Sequence, residues 1–319
     1  MIWLQGLLTL VGLALIVFGA DWLVDGASGI ARRFGLSEFV IGLTIVGMGT
    51  SAPEMVVSFI GAIQGNADIA IGNVVGSNIM NTLLILGLTA LILPMAIKPA
   101  NNKIDIPIYI GITILLVLLG LEQTIFHIGT DGLSRWDGGI LLALFIGYMI
   151  LSFKKNKPEE EGDSPAKKRS IGLCLLMIAA GIAGLAFGGN LFVNNATELA
   201  RSLGVSDKFI AITILAGGTS MPELATCVVA AFKKKGQLAL GNIIGSNVFN
   251  ILLILGGSAL IRPLSFEHIT YVDLGVLVVS AIALLTAGFF FRKREIDRLD
   301  AALYLLIWAA YMAYLIIKL

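Results

Sequence analysis

The sequence predicts an all-α membrane protein of ten transmembrane helices, built as two inverted five-helix repeats with discontinuous central helices. Three observations predict it. Of 319 residues, 57% are hydrophobic and only 13% charged, and apolar runs of about 20 residues, each enough to cross a hydrocarbon layer of about 30 Å, recur along the whole chain. One pair of polar motifs occurs twice at a fixed separation. The positive charges fall almost entirely in alternate loops.

The predicted spans are, in order, about 2–24, 39–63, 68–93, 104–121, 137–153, 171–196, 208–232, 238–261, 270–291 and 299–317. No basic segment precedes the first run and no cleavage site follows it, so it reads as a retained helix and not a signal peptide. Between the fifth and sixth spans, KKNKPEEEGDSPAKKRS (154–170) is charged, contains proline and lacks an apolar period. It reads as a solvated linker. Cys174 and Cys227 lie inside apolar runs and read as small buried side chains. His127 and His268 fall between spans, which argues against a histidine-ligated metal centre. A net charge of +1 gives no sign of a nucleic-acid partner.

Shifting the chain by 169 residues lays GTSAPE on GTSMPE and GNVVGSNIMNTLLILG (72–87) on GNIIGSNVFNILLILG (241–256). From Phe39 to Pro94 the overlay has 25 identities in 56 positions without a gap. Upstream, Gly12, Gly19 and Ala27 meet Gly181, Gly188 and Ala196. The chain thus divides into a first five-helix repeat (1–153), a linker (154–170) and a second repeat (171–319). An odd number of spans per repeat makes the second copy enter from the opposite side. The loops on one side hold 17 Lys and Arg, among them Arg32, Arg33, Lys98, Lys103, Lys233 to Lys235 and six in the linker; the other side holds Arg135, Arg201, Lys208, Arg262 and Lys318. By the positive-inside rule both termini face outward and the linker is cytoplasmic. Lys233 to Lys235 read as a solvated loop that sets topology, and Asp21 as a structural residue near the interface.

In GTSAPE, Pro53 lacks an N–H and crowds the carbonyl of Gly49, so a helix through it must kink or open. Gly47 and Gly49 ease the opening. Carbonyls around 46–50 would be released at mid-membrane, where they need protein or a polar cavity as partner. Beside them stand Thr50, Ser51 and Glu54, with Thr50 and Glu54 on one helix face. On the next span Ser77 and Asn81 are again four apart, with Asn73 and Asn78 as further polar groups. The second repeat supplies Thr219, Ser220, Glu223, Ser246 and Asn250. Inverted repeats would bring both sets together near the midplane. The resulting cluster of hard oxygen ligands, with formal charge about −2, suits Na⁺, Ca²⁺ or Mg²⁺ over softer metals. The glycines at 72, 76, 241 and 245 divide between helix packing and the site, and Asn73 and Asn242 between interhelical bonding and the site.

The paired motifs G-T-S-x-P-E and G-N-x-x-G-S-N, present once in each half, resemble the sodium/calcium exchanger family of the cation/Ca²⁺ antiporter superfamily, over essentially the whole chain. The resemblance implies ten helices, four of them forming the ion sites, and alternating access through sliding of the long first and sixth helices. It implies that Glu54 and Glu223 coordinate Ca²⁺, that Thr50, Ser51, Thr219 and Ser220 serve Ca²⁺ and Na⁺, that the carbonyls of Gly47 and Ala216 contribute, and that Ser77 and Ser246 are outer ligands. One departure stands out: the position four after each GSN serine is often aspartate in the family, and here both are amides, Asn81 and Asn250. This weakens a K⁺-dependent assignment.

The function expected is therefore an electrogenic Na⁺/Ca²⁺ antiporter, with transported cations and the lipid bilayer as partners and no cofactor. The alternatives are an H⁺/Ca²⁺ or other cation antiporter of the same fold, and a cation channel. An intramembrane enzyme would need a nucleophile or catalytic metal ligands near the motifs, and no Cys/His arrangement is found there. The short linker suggests a minimal exchanger in the plasma (inner) membrane of a prokaryote, and a monomer is expected.

Overall fold

Helices occupy the predicted apolar runs throughout the described residues, which in this computed structural model are 2–155, 169–205, 217–266, 269–289 and 294–318. They are α1 (Ile2–Phe34), α2 (Glu38–Thr50), α3 (Ala52–Gln64), α4 (Ala67–Ile92), α5 (Asn101–Gly120), the short α6 (Glu122–Phe126), α7 (Arg135–Lys155), α8 (Ile171–Ser202), α9 (Met221–Phe232), α10 (Gly236–Ile261), α11 (Tyr271–Phe289) and α12 (Arg298–Lys318). Among the described residues seven helices are each long and apolar enough to cross a membrane, and α2 and α3, bent by 49° at Ser51, are long and apolar enough only when taken together. The beginning of the predicted span 208–232 lies outside the described residues, as does 156–168 of the predicted linker.

Side-chain caps fix several starts. Ser37, Asn66 and Ser170 accept from the backbone N–H groups of Val40, Ile69 and Leu173, which satisfies donors that the helix leaves open. Gly65, at φ 78°, closes α3 in the left-handed conformation that only glycine adopts at no steric cost.

The helices differ sharply in burial. In α10, 94% of the apolar window is buried, against 28% in α8 and 17% in α12, so α10 is central and the other two are peripheral. Outward faces carry large apolar side chains such as Trp3, Leu10, Phe18, Phe187 and Leu306. An apolar surface this extensive fits lipid as its solvent.

Close backbone packing holds the bundle together. A Cβ added at Gly19 would lie 2.8 Å from the Gly181 carbonyl oxygen, and one at Gly181 would lie 2.7 Å from Leu23 N. Gly12 meets Phe192, and Gly26 meets Cys174. Rising numbers in α1 meet falling numbers in α8, so the two helices run antiparallel along a glycine seam. Gly42 on α2 abuts the Leu238 carbonyl of α10, and Gly241 and Gly245 abut the carbonyls of Phe39 and Leu43. These glycines are packing positions. Cys174 and Cys227 are both buried and unbridged, as their apolar setting suggested.

Two short antiparallel strand pairs tie the loops. β1 (Met95–Ala96) pairs with β4 (Glu295–Ile296), and β2 (Gly132–Leu133) pairs with β3 (Leu264–Ser265).

Two expectations are corrected. The first helix extends ten residues past the predicted end at 24, to Phe34. Asp21 and Asp25 end the apolar run without ending the helix: Leu23, Val24, Ala27, Ile30 and Ala31 carry its buried face onward, while Lys233 Nζ pairs with both aspartates, at 2.7 and 2.6 Å, and Arg169 Nη2 reaches Asp25 at 3.1 Å. The lysine loop, read as merely solvated, is thus partly engaged: Lys235 Nζ also donates to Ser28 Oγ and approaches Glu38 at 3.9 Å.

Candidate cation site

The two Pro-Glu motifs build the same local structure. Ser51 has φ −82° and ψ 7°, and Ser220 has φ −86° and ψ 5°. Each is the hinge before a new helix whose first turn contains the proline and the glutamate. Proline costs nothing there, since first-turn N–H groups have no intrahelical acceptor. The same turn places Glu54 and Glu223 at helix N-termini, where the exposed N–H dipoles favour negative charge. The Gly47 carbonyl is not left open by the break: it accepts from Ser51 N at 3.0 Å. Thr50 Oγ1 and Ser246 Oγ also lie 3.3 and 3.5 Å from it.

The GSN motifs supply the opposing wall. Asn81 lies in a wide π-helical turn, Met80–Ile85 of α4, and Asn250 in another, Phe249–Leu255 of α10. Such turns recur at functional sites because they re-aim side chains within an otherwise regular helix.

The halves interlock reciprocally. Ser51 Oγ donates to Glu223 Oε1 at 2.9 Å, and Ser220 Oγ to Glu54 Oε1 at 3.3 Å. Within each half Ser77 Oγ donates to Glu54 Oε1 and Ser246 Oγ to Glu223 Oε1, both at 3.4 Å. Asn81 Nδ2 donates to Asn247 Oδ1 at 3.1 Å, and Asn250 Nδ2 to Asn78 Oδ1 at 2.9 Å. Adding 169 to each residue of the first half gives its counterpart in the second.

Each glutamate therefore has one oxygen served by two hydroxyls and one that is not. Glu54 Oε2, Glu223 Oε2, Asn81 Oδ1 and Asn250 Oδ1 are all buried, and none has a hydrogen-bond partner in the structure. All four parent residues are fully buried. Four oxygen acceptors without donors, two of them carboxylate, are costly in a dry interior and match a hard cation. No group of three or more His, Cys, Asp or Glu forms a metal cluster among the described residues; the buried oxygens here are a mixture of carboxylate, amide and hydroxyl.

Of the residues singled out from sequence, Glu54, Glu223, Thr50, Ser51, Ser77, Ser220, Ser246, Asn81 and Asn250 converge on this buried cluster. Thr219 is half-buried at its edge and lines a cavity of about 380 Å³ shared with Gly49, Pro53, Pro222, Ile182 and Asn190. Ala216 lies outside the described residues. Sequence reasoning missed Asn247 and Thr82, which are joined by a 2.8 Å bond from Asn247 Nδ2. The 169-residue offset applied to Asn78 would have found the first; Thr82 has isoleucine as its counterpart, so repetition gave no signal.

This geometry defines a class: an integral membrane protein whose two similar halves meet around a buried, acidic, oxygen-lined centre. The chain belongs to the sodium/calcium exchanger protein family, whose model matches residues 4–154 and 173–317. It is 37% identical over 317 residues to the putative antiporter CaxA of Alkalimonas amylolytica, covering 95% of each chain. It is 32% identical over 348 residues to the sodium/calcium exchanger MaX1 of Methanosarcina acetivorans, covering 99% of each. Its structure resembles that of the sodium-calcium exchanger NCX_Mj soaked with 2.5 mM Na⁺ and 0.1 mM Ca²⁺, with TM-score 0.84, 34% identity, and coverage of 98% of this chain and 99% of that one.

Proposed function

We propose that this chain is a secondary active antiporter that exchanges Na⁺ for Ca²⁺ by alternating access, with the cations bound in turn between Glu54 and Glu223. The observation that carries this is the set of four buried, donorless oxygens on Glu54, Glu223, Asn81 and Asn250. Thr50, Ser51, Ser77, Thr219, Ser220 and Ser246, with the Gly47 and Ala216 carbonyls, complete the ligand set. Membership of the exchanger family and the likeness to NCX_Mj support the choice of ions.

The topology proposed is ten crossings in two inverted repeats, 1–153 and 171–319, with both termini outside and the linker cytoplasmic. The antiparallel packing of α1 on α8 supports inversion. So do the strand pairs: in this topology β1 and β4 belong to two cytoplasmic loops, and β2 and β3 to two outer ones. A miscount by one span between the members of a pair would put them on opposite sides of the bilayer.

The resemblance to the exchanger family implies three Na⁺ for one Ca²⁺, and the charge of the centre decides whether such a cycle moves net charge. With both glutamates ionised and both amides neutral, the centre carries about −2. One Ca²⁺ neutralises it and three Na⁺ leave about +1, so a three-for-one cycle is electrogenic. The test is Ca²⁺ uptake into proteoliposomes loaded with Na⁺. Uptake should require the outward Na⁺ gradient and ignore an imposed pH gradient. Uptake that follows the pH gradient instead would favour H⁺/Ca²⁺ exchange, and unitary currents would favour a channel.

A further inference from the structure

Behind each threonine of the cation centre stands an asparagine of the opposite half. Asn73 Nδ2 donates to the backbone carbonyl of Glu54 at 3.1 Å and to Ser58 Oγ at 3.0 Å. Ser58 Oγ in turn donates to the Ala70 carbonyl at 3.3 Å. Carbonyl oxygens only accept, so these two ends fix the direction of the chain. The amide nitrogen of Asn73 faces Glu54, and its Oδ1 must face the other way. There Thr219 Oγ1 lies at 3.4 Å and is the donor. A hydroxyl has a single proton. Once that proton is on Asn73, Thr219 shows only lone pairs to anything else.

The second half repeats the device with a thiol in place of the hydroxyl, and there Asn242 Nδ2 is seen to donate to the thiol alone. Thr50 Oγ1 donates to Asn242 Oδ1 at 3.2 Å, and Asn242 Nδ2 donates to Cys227 Sγ at 3.2 Å. Cys227 Sγ lies 3.8 Å from the Ala239 carbonyl. Thr50 also has the Gly47 carbonyl within reach at 3.3 Å. Whichever oxygen takes the Thr50 proton decides whether the Gly47 carbonyl, already bonded to Ser51 N, keeps its second lone pair open. Positions 58 and 227 are counterparts at the 169-residue offset, and one holds a hydroxyl where the other holds a thiol. A thiol is the weaker hydrogen-bonding group, so Asn242 is anchored less firmly than Asn73.

We propose that Asn73 and Asn242 are positioning residues for the cation site: each draws the proton of a threonine in the opposite half away from the ions, and Ser58 or Cys227 sets how firmly it does so. This rests on the exchange reading above and adds two things to it. Residues that touch no ion tune ion affinity, and the oxygen-to-sulfur difference between Ser58 and Cys227 contributes to making the two half-sites unequal.

The test is Ca²⁺ titration of the purified full-length protein by calorimetry in Na⁺-free buffer, with melting temperature and maximal uptake rate per molecule measured alongside. Asn73→Ala and Asn242→Ala should raise the Ca²⁺ dissociation constant about three- to tenfold, the size of one lost hydrogen bond. Ser58→Cys should raise it about two- to threefold and Cys227→Ser should lower it by a similar factor, with the double exchange returning close to wild type. The Ser/Cys variants are nearly isosteric and decide the matter should the alanine variants fail to fold. A purely structural role would lower the melting temperature while leaving the affinity of the folded protein unchanged. Dissociation constants unmoved in Ser58→Cys and Cys227→Ser would overturn the proposal while leaving the exchange reading intact. A wild-type protein that binds no Ca²⁺ would overturn both.

Discussion

Ser51 Oγ donates to Glu223 Oε1 at 2.9 Å across 172 positions of sequence. A hinge residue of one half thus holds the carboxylate of the other, and Ser220 returns the bond to Glu54. Neither half-site is complete alone. A hydrogen bond to a carboxylate is worth about 1.5–3 kcal/mol, so Ser51→Ala should weaken Ca²⁺ binding by about tenfold or more. Ser51→Ala with Ser220→Ala should lose more than either alone. Equilibrium Ca²⁺ titration of the three variants checks this; an additive, sub-twofold effect would separate the serines from the site.

Replacing Glu54 or Glu223 with Gln removes half the charge of the centre. At a separation near 4 Å and an effective dielectric constant of about 20, a carboxylate attracts a unit charge by about 4 kcal/mol, and a divalent ion by about twice that. Ca²⁺ therefore loses more than Na⁺. Both single variants should show near-complete loss of Ca²⁺ uptake in proteoliposomes, with correct folding confirmed by size-exclusion profile. Robust uptake in either would move the site elsewhere.

Asn81 and Asn250 contribute donorless oxygens without charge. Asn81→Asp or Asn250→Asp would set a third carboxylate beside the two glutamates, and protons would then compete with cations for the cluster. Transport by these variants should fall more steeply than wild type as pH drops from 8 to about 6. Profiles of uptake against pH that superimpose on wild type would show that these positions do not sense the ions.

The glycine seam makes a prediction about stability. Gly19→Leu would drive a side chain into the Gly181 carbonyl, already 2.8 Å from an ideal Cβ. Overpacking of this kind costs about 1–3 kcal/mol. The melting temperature in detergent should fall, and α1 should separate from α8, read as increased reactivity of buried Cys174 toward a thiol reagent. An unchanged melting temperature and an unreactive Cys174 would mean that the seam tolerates side chains.

Much of this was legible in the sequence because membranes leave few choices. Apolar runs located the helices, and the doubled motif located Glu54, Glu223 and their hydroxyl neighbours. What the sequence hid was tertiary. The continuation of α1 to Phe34 follows a buried face from Leu23 to Ala31 whose partners, such as Cys174 and Ile178 against Gly26, come from distant segments. The π-helical turns around Asn81 and Asn250 lie in unbroken runs of LLIL, where apolar pattern cannot tell one helical pitch from another. The break at Ser51 was expected from Pro53, but not that its neighbouring Gly47 carbonyl would remain bonded to Ser51 N.

The most direct test of Na⁺/Ca²⁺ exchange at a two-carboxylate centre is Ca²⁺ uptake under clamped voltage in Na⁺-loaded proteoliposomes. Three Na⁺ leaving for one Ca²⁺ carries one positive charge outward per cycle, and about 100 mV acting on one charge is worth roughly 2.3 kcal/mol. An inside-positive potential should accelerate Na⁺-dependent Ca²⁺ uptake, an inside-negative one should slow it, and Glu54→Gln should abolish it at every voltage. Uptake that needs no Na⁺ gradient, ignores the potential, or persists in Glu54→Gln would contradict the proposed mechanism.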